Sequence, residues 1–96
     1  MTRMYNPPHP GEVLKDALDA LPITISEFAA HIGVARSTIT RVLSCKAGIT
    51  PDMSIRLSEA FGQDSPDLWF NMQTAYDFWQ ASQAKRRRVK PLKEAA

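Results

Sequence analysis

Two arginines, a lysine and four hydroxyl side chains crowd one short stretch: Arg36, Ser37, Thr38, Thr40, Arg41, Ser44 and Lys46. Ser37, Thr40, Arg41 and Ser44 lie at i, i+3, i+4 and i+7, which on a helix is a single stripe. Arg36 and Thr38 flank the stripe near the helix start, and Lys46 follows in a loop. Such groups recognise anions and base edges. A guanidinium takes guanine O6 and N7 bidentately, a hydroxyl serves bases or phosphates, and a loop lysine suits a phosphate.

The residues between them say what must hold the stripe. Ala35, Ile39, Val42 and Leu43 recur at i, i+4, i+7 and i+8, an apolar face roughly opposite the polar one. Upstream, Phe28, Ala29 and Ile32 form the apolar face of a preceding helix, and Gly33 between the two supplies a backbone position that tolerates positive φ. Small Ala29 lets the helices approach. Phe28, Ala29, Ile32, Gly33, Ile39 and Val42 are therefore the expected core of a helix-turn-helix, whose second helix enters a DNA major groove. An amphipathic hairpin with a solvated outer face would share the polar stripe. The glycine pivot, the small alanine and the periodicity on both sides favour double-stranded DNA.

The rest of the chain reads as further helices, giving an all-α, five-helix domain over 9–84 with helices about 10–21, 26–33, 36–44, 51–61 and 66–84. An irregular segment, 1–8, precedes it, because paired prolines disfavour helix. Pro10 and Glu12 open the first helix, with Val13, Leu14, Ala17, Leu18 and Leu21 as its core stripe and Pro22 ending it. Ser26 is the expected N-cap of the second. Thr50-Pro51-Asp52 and Ser65-Pro66-Asp67 mark two more starts, and Gly62 a stop.

Composition sets bounds. Ninety-six residues, 44% hydrophobic and 23% charged, suit one folded domain. No apolar run approaches the roughly 18 residues of a membrane span, so no membrane association is expected. The lone Cys45 has no partner for an internal disulfide, which suits a reducing cytoplasm. Beside Lys46 its thiol is expected to ionise more easily, yet no base stands near it in sequence, so it is a spectator. Two histidines without a carboxylate or thiolate cluster exclude a metal site, and the chain carries no phosphate loop or nucleophile motif. No cofactor and no enzymatic activity are expected.

The net charge of +2 is uneven. Residues 85–93 hold six of the twelve basic side chains and no acid, leaving six basic against ten acidic elsewhere, a net of −4. The run over 85–96 reads first as a flexible, solvated tail; sequence-independent phosphate contact is the second reading. With an acidic body, Arg36, Arg41 and Lys46 must supply most of the positive field.

The fifth helix is apolar nearly all round. Leu68, Met72, Ala75, Tyr76 and Trp79 form one stripe, with Leu68, Met72 and Tyr76 assigned to the core. The excess, Trp69, Phe70, Phe78 and Trp79, is the expected dimer or partner surface. Self-association is the simplest use of it, since helix-turn-helix proteins read paired half-sites as dimers.

With these stretches assembled, the chain resembles the HigA-type antitoxins, or VapI-like regulators, of the lambda-repressor-like (XRE) helix-turn-helix family. HPGEVL (9–14), VARSTITRVL (34–43), ITPDMSIRLSEAFG (49–62) and SPDLWFNMQTAYDFW (65–79) carry the likeness, which covers about 9–80. The resemblance implies a compact five-helix lambda-repressor-like DNA-binding domain, usually dimeric, that represses its own operon at a palindromic operator. It also implies a toxin protein as partner, a HigB-type mRNA endoribonuclease. Arg36, Ser37, Thr38, Thr40 and Arg41 match the groove-reading positions, and Ser44 and Lys46 the backbone-contacting ones. Two departures stand out. Ala35 replaces the usual Ser or Thr cap, a loss of about 1 kcal/mol unless Ser37 compensates. Ser44-Cys45 replaces Asn-Gly, and because cysteine takes the left-handed cap less easily than glycine, a different helix end is expected. A stand-alone regulator without a toxin, or a protein-interaction module working through the fifth helix, are the competing functions.

Overall fold

The computed structural model describes residues 6–95. Among them are five helices and a single extra turn, with no strand: α1 (Pro10–Asp19), α2 (Ile25–Ile32), α3 (Arg36–Leu43), α4 (Pro51–Ala60), α5 (Leu68–Gln83) and α6 (Leu92–Ala95). Met1 to Tyr5, most of the expected irregular lead-in, and Ala96 lie outside the described residues.

Local chemistry explains the helix starts. His9 caps α1: its Nδ1 accepts the Gly11 N–H at 2.9 Å, with Pro10 at the first helical position. Thr24, not Ser26, caps α2. The Thr24 hydroxyl accepts from the Glu27 N–H at 3.0 Å and the Glu27 carboxylate accepts from the Thr24 N–H at 2.9 Å, a reciprocal capping box. Thr50 caps α4 by accepting from the Met53 N–H at 3.1 Å. α5 begins at Leu68, two residues later than the Ser-Pro-Asp signal suggests. Ser65 there donates its hydroxyl to Asp67, which holds that carboxyl below the usual range, and gives its carbonyl to Ser58.

Three helices end in the same hydrogen-bonded motif. After α2, Val34 N–H donates to Ala29 and Gly33 N–H to Ala30; after α4, Gln63 donates to Ser58 and Gly62 to Glu59. The left-handed residues are Gly33 at φ 80° and Gly62 at φ 65°. α3 ends identically, with Lys46 N–H on the Arg41 carbonyl at 2.9 Å and Cys45 N–H on that of Val42 at 3.0 Å. Here the left-handed residue is Cys45, at φ 63°. The expected difference at this helix end is therefore absent: the two hydrogen bonds hold a cysteine in the place of a glycine.

The core is Leu14, Leu18, Phe28, Ala29, Ile32, Ile39, Val42, Ile49, Met53, Leu57 and Trp69. α3 is packed by α2 on one side and α1 on the other, while α5 lies across α4 and α1. Leu21 is exposed rather than in the α1 stripe, because the helix stops at Asp19 and the chain turns. Ala35, the capping residue of α3, is exposed too. In α5 the buried phase is one residue from that expected. Trp69 and Gln73 are buried and Met72 and Tyr76 half-buried, while Leu68 is 37% exposed. Trp69 is thus core, not partner surface. It stacks on Phe61 at 5.7 Å, and its indole N–H donates to Gln63 Oε1 at 2.8 Å.

The α1–α3 crossing is close. A Cβ at Gly11 would stand 1.9 Å from the Val42 carbonyl oxygen, and backbone cannot yield as a flexible side chain can. Gly11→Ala should cost about 1–3 kcal/mol as an overpacking change, read as a lower urea midpoint; an unchanged midpoint would contradict the crossing.

Candidate nucleic-acid interface

α3 presents one face to the core and another to solvent. Ile39 is fully buried and Val42 nearly so, while Arg36, Ser37, Thr38, Thr40, Arg41, Ser44 and Lys46 are all exposed. All seven residues singled out from the sequence thus lie on one continuous outer surface made by α3 and the loop after it. Gly33 fixes the entry to α3 and Cys45 its exit, so the side chains start from a rigid backbone.

The hydroxyls fall into two kinds. Thr40 donates to the Arg36 carbonyl at 3.1 Å and Ser44 to that of Arg41 at 3.2 Å, so both offer lone pairs outward. Ser37 and Thr38 make no side-chain hydrogen bond among the described residues and remain able to donate or accept. No side chain caps α3, so Ser37 does not replace the missing cap at Ala35. The first N–H groups of the helix stay open to water or an anion.

The cations are similarly uncommitted. Among the described residues the ion pairs are Lys15–Asp19 at 3.1 Å and Arg56–Asp52 at 2.8 Å. Arg56 also donates to the Ile32 carbonyl at 2.7 Å, tying α4 to the turn before α3. Arg36, Arg41 and Lys46 have no carboxylate partner there, so a small positive patch sits on a body that is otherwise acidic. Such a surface can bind phosphates through its cations and read base edges through its arginines and hydroxyls.

Sequence reasoning missed the groups that hold this surface in place. His9 is buried and meets the Tyr76 ring edge-on at 4.9 Å, a packed cap rather than a ligand. Gln73 Oε1 accepts from the Ile49 N–H at 2.8 Å and so anchors the loop after Lys46. Arg56 had no signal beyond its charge. Cys45 also differs from expectation. Partial desolvation pushes its thiol up from the ordinary value, and the Glu12 carboxylate adds to the push. No group of three metal-ligating side chains occurs among the described residues.

These elements define a helix-turn-helix domain with a polar, cationic second helix. The helix-turn-helix family model matches residues 14–68, and the chain belongs to that family, in its XRE-like form. It is 40% identical over 79 residues to the HTH-type transcriptional regulator YddM of Escherichia coli, an uncharacterised protein, covering 82% of this chain and 83% of that one. It is 34% identical over 86 residues to antitoxin HigA-1 of Vibrio cholerae, covering 85% and 80%. Among solved structures, the Pseudomonas aeruginosa antitoxin HigA with the higBA promoter superposes with a TM-score of 0.79 at 32% identity, covering 90% of this chain and 98% of that one.

A cysteine in the left-handed position is strained where a glycine is not. Cys45→Gly should stabilise the protein by about 0.5–1 kcal/mol, the relieved strain less the added freedom of the unfolded chain. Urea unfolding at equal m-value measures it, and a loss of stability would contradict the assignment.

Proposed function

We propose that this chain is a sequence-specific DNA-binding antitoxin that represses its own operon and neutralises a HigB-type mRNA endoribonuclease. The observation that carries the DNA half is the outer surface of α3 and the loop after it: seven exposed polar side chains, three of them cations without an acidic partner among the described residues. Arg36 and Arg41 read guanine edges, Ser37, Thr38 and Thr40 contact bases or sugar-phosphate, and Ser44 and Lys46 hold the backbone. That a similar chain was solved with the higBA promoter supports the assignment. The protein acts in the cytoplasm as a homodimer on a palindromic operator, because one α3 spans only one half-site.

The dimer and toxin surfaces draw on the apolar side chains the domain leaves uncovered. Phe70 is partly exposed beside Pro51, Ile55 and Pro66 in a groove between α4 and α5; Phe78 is 76% exposed farther along, next to half-buried Trp79. The likeness to antitoxin HigA-1 supports the toxin half. A stand-alone regulator is the second reading, favoured by the likeness to a protein known only as a transcriptional regulator.

Arg41→Ala should weaken binding to a duplex from the region upstream of its gene by about 1–3 kcal/mol and relax sequence preference. Gel-shift titration against a scrambled duplex measures both, and undiminished preference would remove Arg41 from the groove. Co-expression with the product of the adjoining gene separates the two functions. An antitoxin copurifies with it in a stable complex; a stand-alone regulator elutes alone.

A further inference from the structure

The largest charge cluster in the chain plays no part in the interface built on α3. Residues 85–93 carry Lys85, Arg86, Arg87, Arg88, Lys90 and Lys93 without an acid among them. All nine residues are exposed, and none of the six cations forms an ion pair among the described residues. Among the described residues, their one side-chain hydrogen bond is Arg86 Nη1 donating to the Arg87 carbonyl at 3.2 Å. After α5 the backbone turns extended at Ala84, and residues 85–91 have no regular structure. Mutual repulsion of six like charges favours that open form.

The helix from which this segment issues is tied to the end of α3. Gln73 of α5 holds Ile49, just beyond Lys46, and Tyr76 of α5 packs on His9. His9 caps α1, whose Gly11 lies against Val42 of α3 and whose Glu12 acts electrostatically on Cys45. The middle of α5 is therefore connected, through α1 and the loop at Ile49, to the C-terminal end of α3. From Tyr76 to Ala84 the chain advances about 12 Å along the helix, and the seven irregular residues 85–91 beyond it span up to about 23 Å. That is enough to run along a phosphate backbone seated at α3. The molecule is 58 Å in its longest dimension, against 28 and 19 Å in the others.

We propose that residues 85–93 form a second, sequence-independent DNA contact, laying their cations along phosphates that flank the site read by α3. The proposal rests on the reading of α3 as a DNA-binding helix. Its physical basis is counterion release: each phosphate neutralised by a lysine or arginine frees condensed cations, whatever the base sequence. The acidic body makes the contribution large. Without the segment, the positive charge offered to the phosphates by α3 and its loop is that of Arg36, Arg41 and Lys46. Duplex DNA, rather than an anionic membrane, fits because residues 85–91 form no amphipathic helix to insert and follow a helix tied to the end of α3.

The test uses the full chain and the variant Arg86→Gln/Arg87→Gln/Arg88→Gln/Lys90→Gln, whose substitutions lie outside the core. Fluorescence anisotropy follows binding to two duplexes of about 30 base pairs, one from the region upstream of the gene and one of random sequence, from about 50 to about 200 mM salt. The slope of log K against log salt should become shallower by about 3. Affinity for both duplexes should fall by the same factor, about tenfold or more at 100 mM salt, leaving their ratio unchanged. An unchanged slope and affinity overturn the proposal. So does a loss confined to vesicles of phosphatidylcholine and phosphatidylglycerol, or to single-stranded RNA, with duplex binding intact. Arg41→Ala keeps the two readings apart: failure of the α3 reading leaves its duplex ratio intact, whereas failure of the present proposal leaves the salt slope of the fourfold variant intact.

Discussion

The backbone of α1 comes up against the backbone of α3 at Gly11, which faces the Val42 carbonyl, and the orientation of the polar surface follows from that contact. No side chain fits between them. The approach buries His9, which then has to satisfy itself by capping α1 and packing on Tyr76. It also presses Ile39 and Val42 into the core, which leaves the opposite side of α3 facing outward. α2 closes the helix from the other flank through the left-handed turn at Gly33. A recognition helix held on both sides loses little freedom on binding, which is what preorganisation contributes to affinity.

Polar groups inside the domain are used to fasten loops. Arg56 reaches the Ile32 carbonyl, Gln73 the Ile49 N–H, Ser54 the Pro66 carbonyl at 2.8 Å and Ser58 the Ser65 carbonyl at 2.9 Å. Ser54 Oγ also accepts from the Phe70 N–H at 3.0 Å, fixing the first turn of α5. No buried side-chain nitrogen or oxygen among the described residues lacks a partner. The contrast with the outer face of α3 is informative. Interior polar groups are satisfied, whereas Arg36, Arg41 and Lys46 have no carboxylate partner among the described residues and stand at the surface, where water or phosphate can meet them.

Much of this was legible because it is local. The turn at Gly33, the cap at Thr50 and the two faces of α3 depend on residues within a few positions of one another. The α2 start was misread at Ser26, although the deciding signal is local: Thr24 stands three residues before Glu27 in capping-box spacing, and Ser26 does not. α5 was not. With Leu68, Trp69, Phe70, Met72, Tyr76, Phe78 and Trp79 spread around it, no apolar face stands out, and its phase is set by Phe61 and Gln63 meeting Trp69. His9 escaped for a similar reason, since Tyr76, which buries it, lies far along the chain. At Cys45 intrinsic preference pointed away from the left-handed backbone, and two helix-end hydrogen bonds overrode it.

The central claim is that α3 and its following loop meet DNA while the rest of the domain holds them in position. Backbone amide NMR of the labelled full chain, titrated with a duplex from the region upstream of its gene, tests this residue by residue. The largest shifts are predicted at Arg36 to Lys46, with the buried core of α4 little changed. Shifts confined to α5 and residues 85–93, with α3 unmoved, would contradict it.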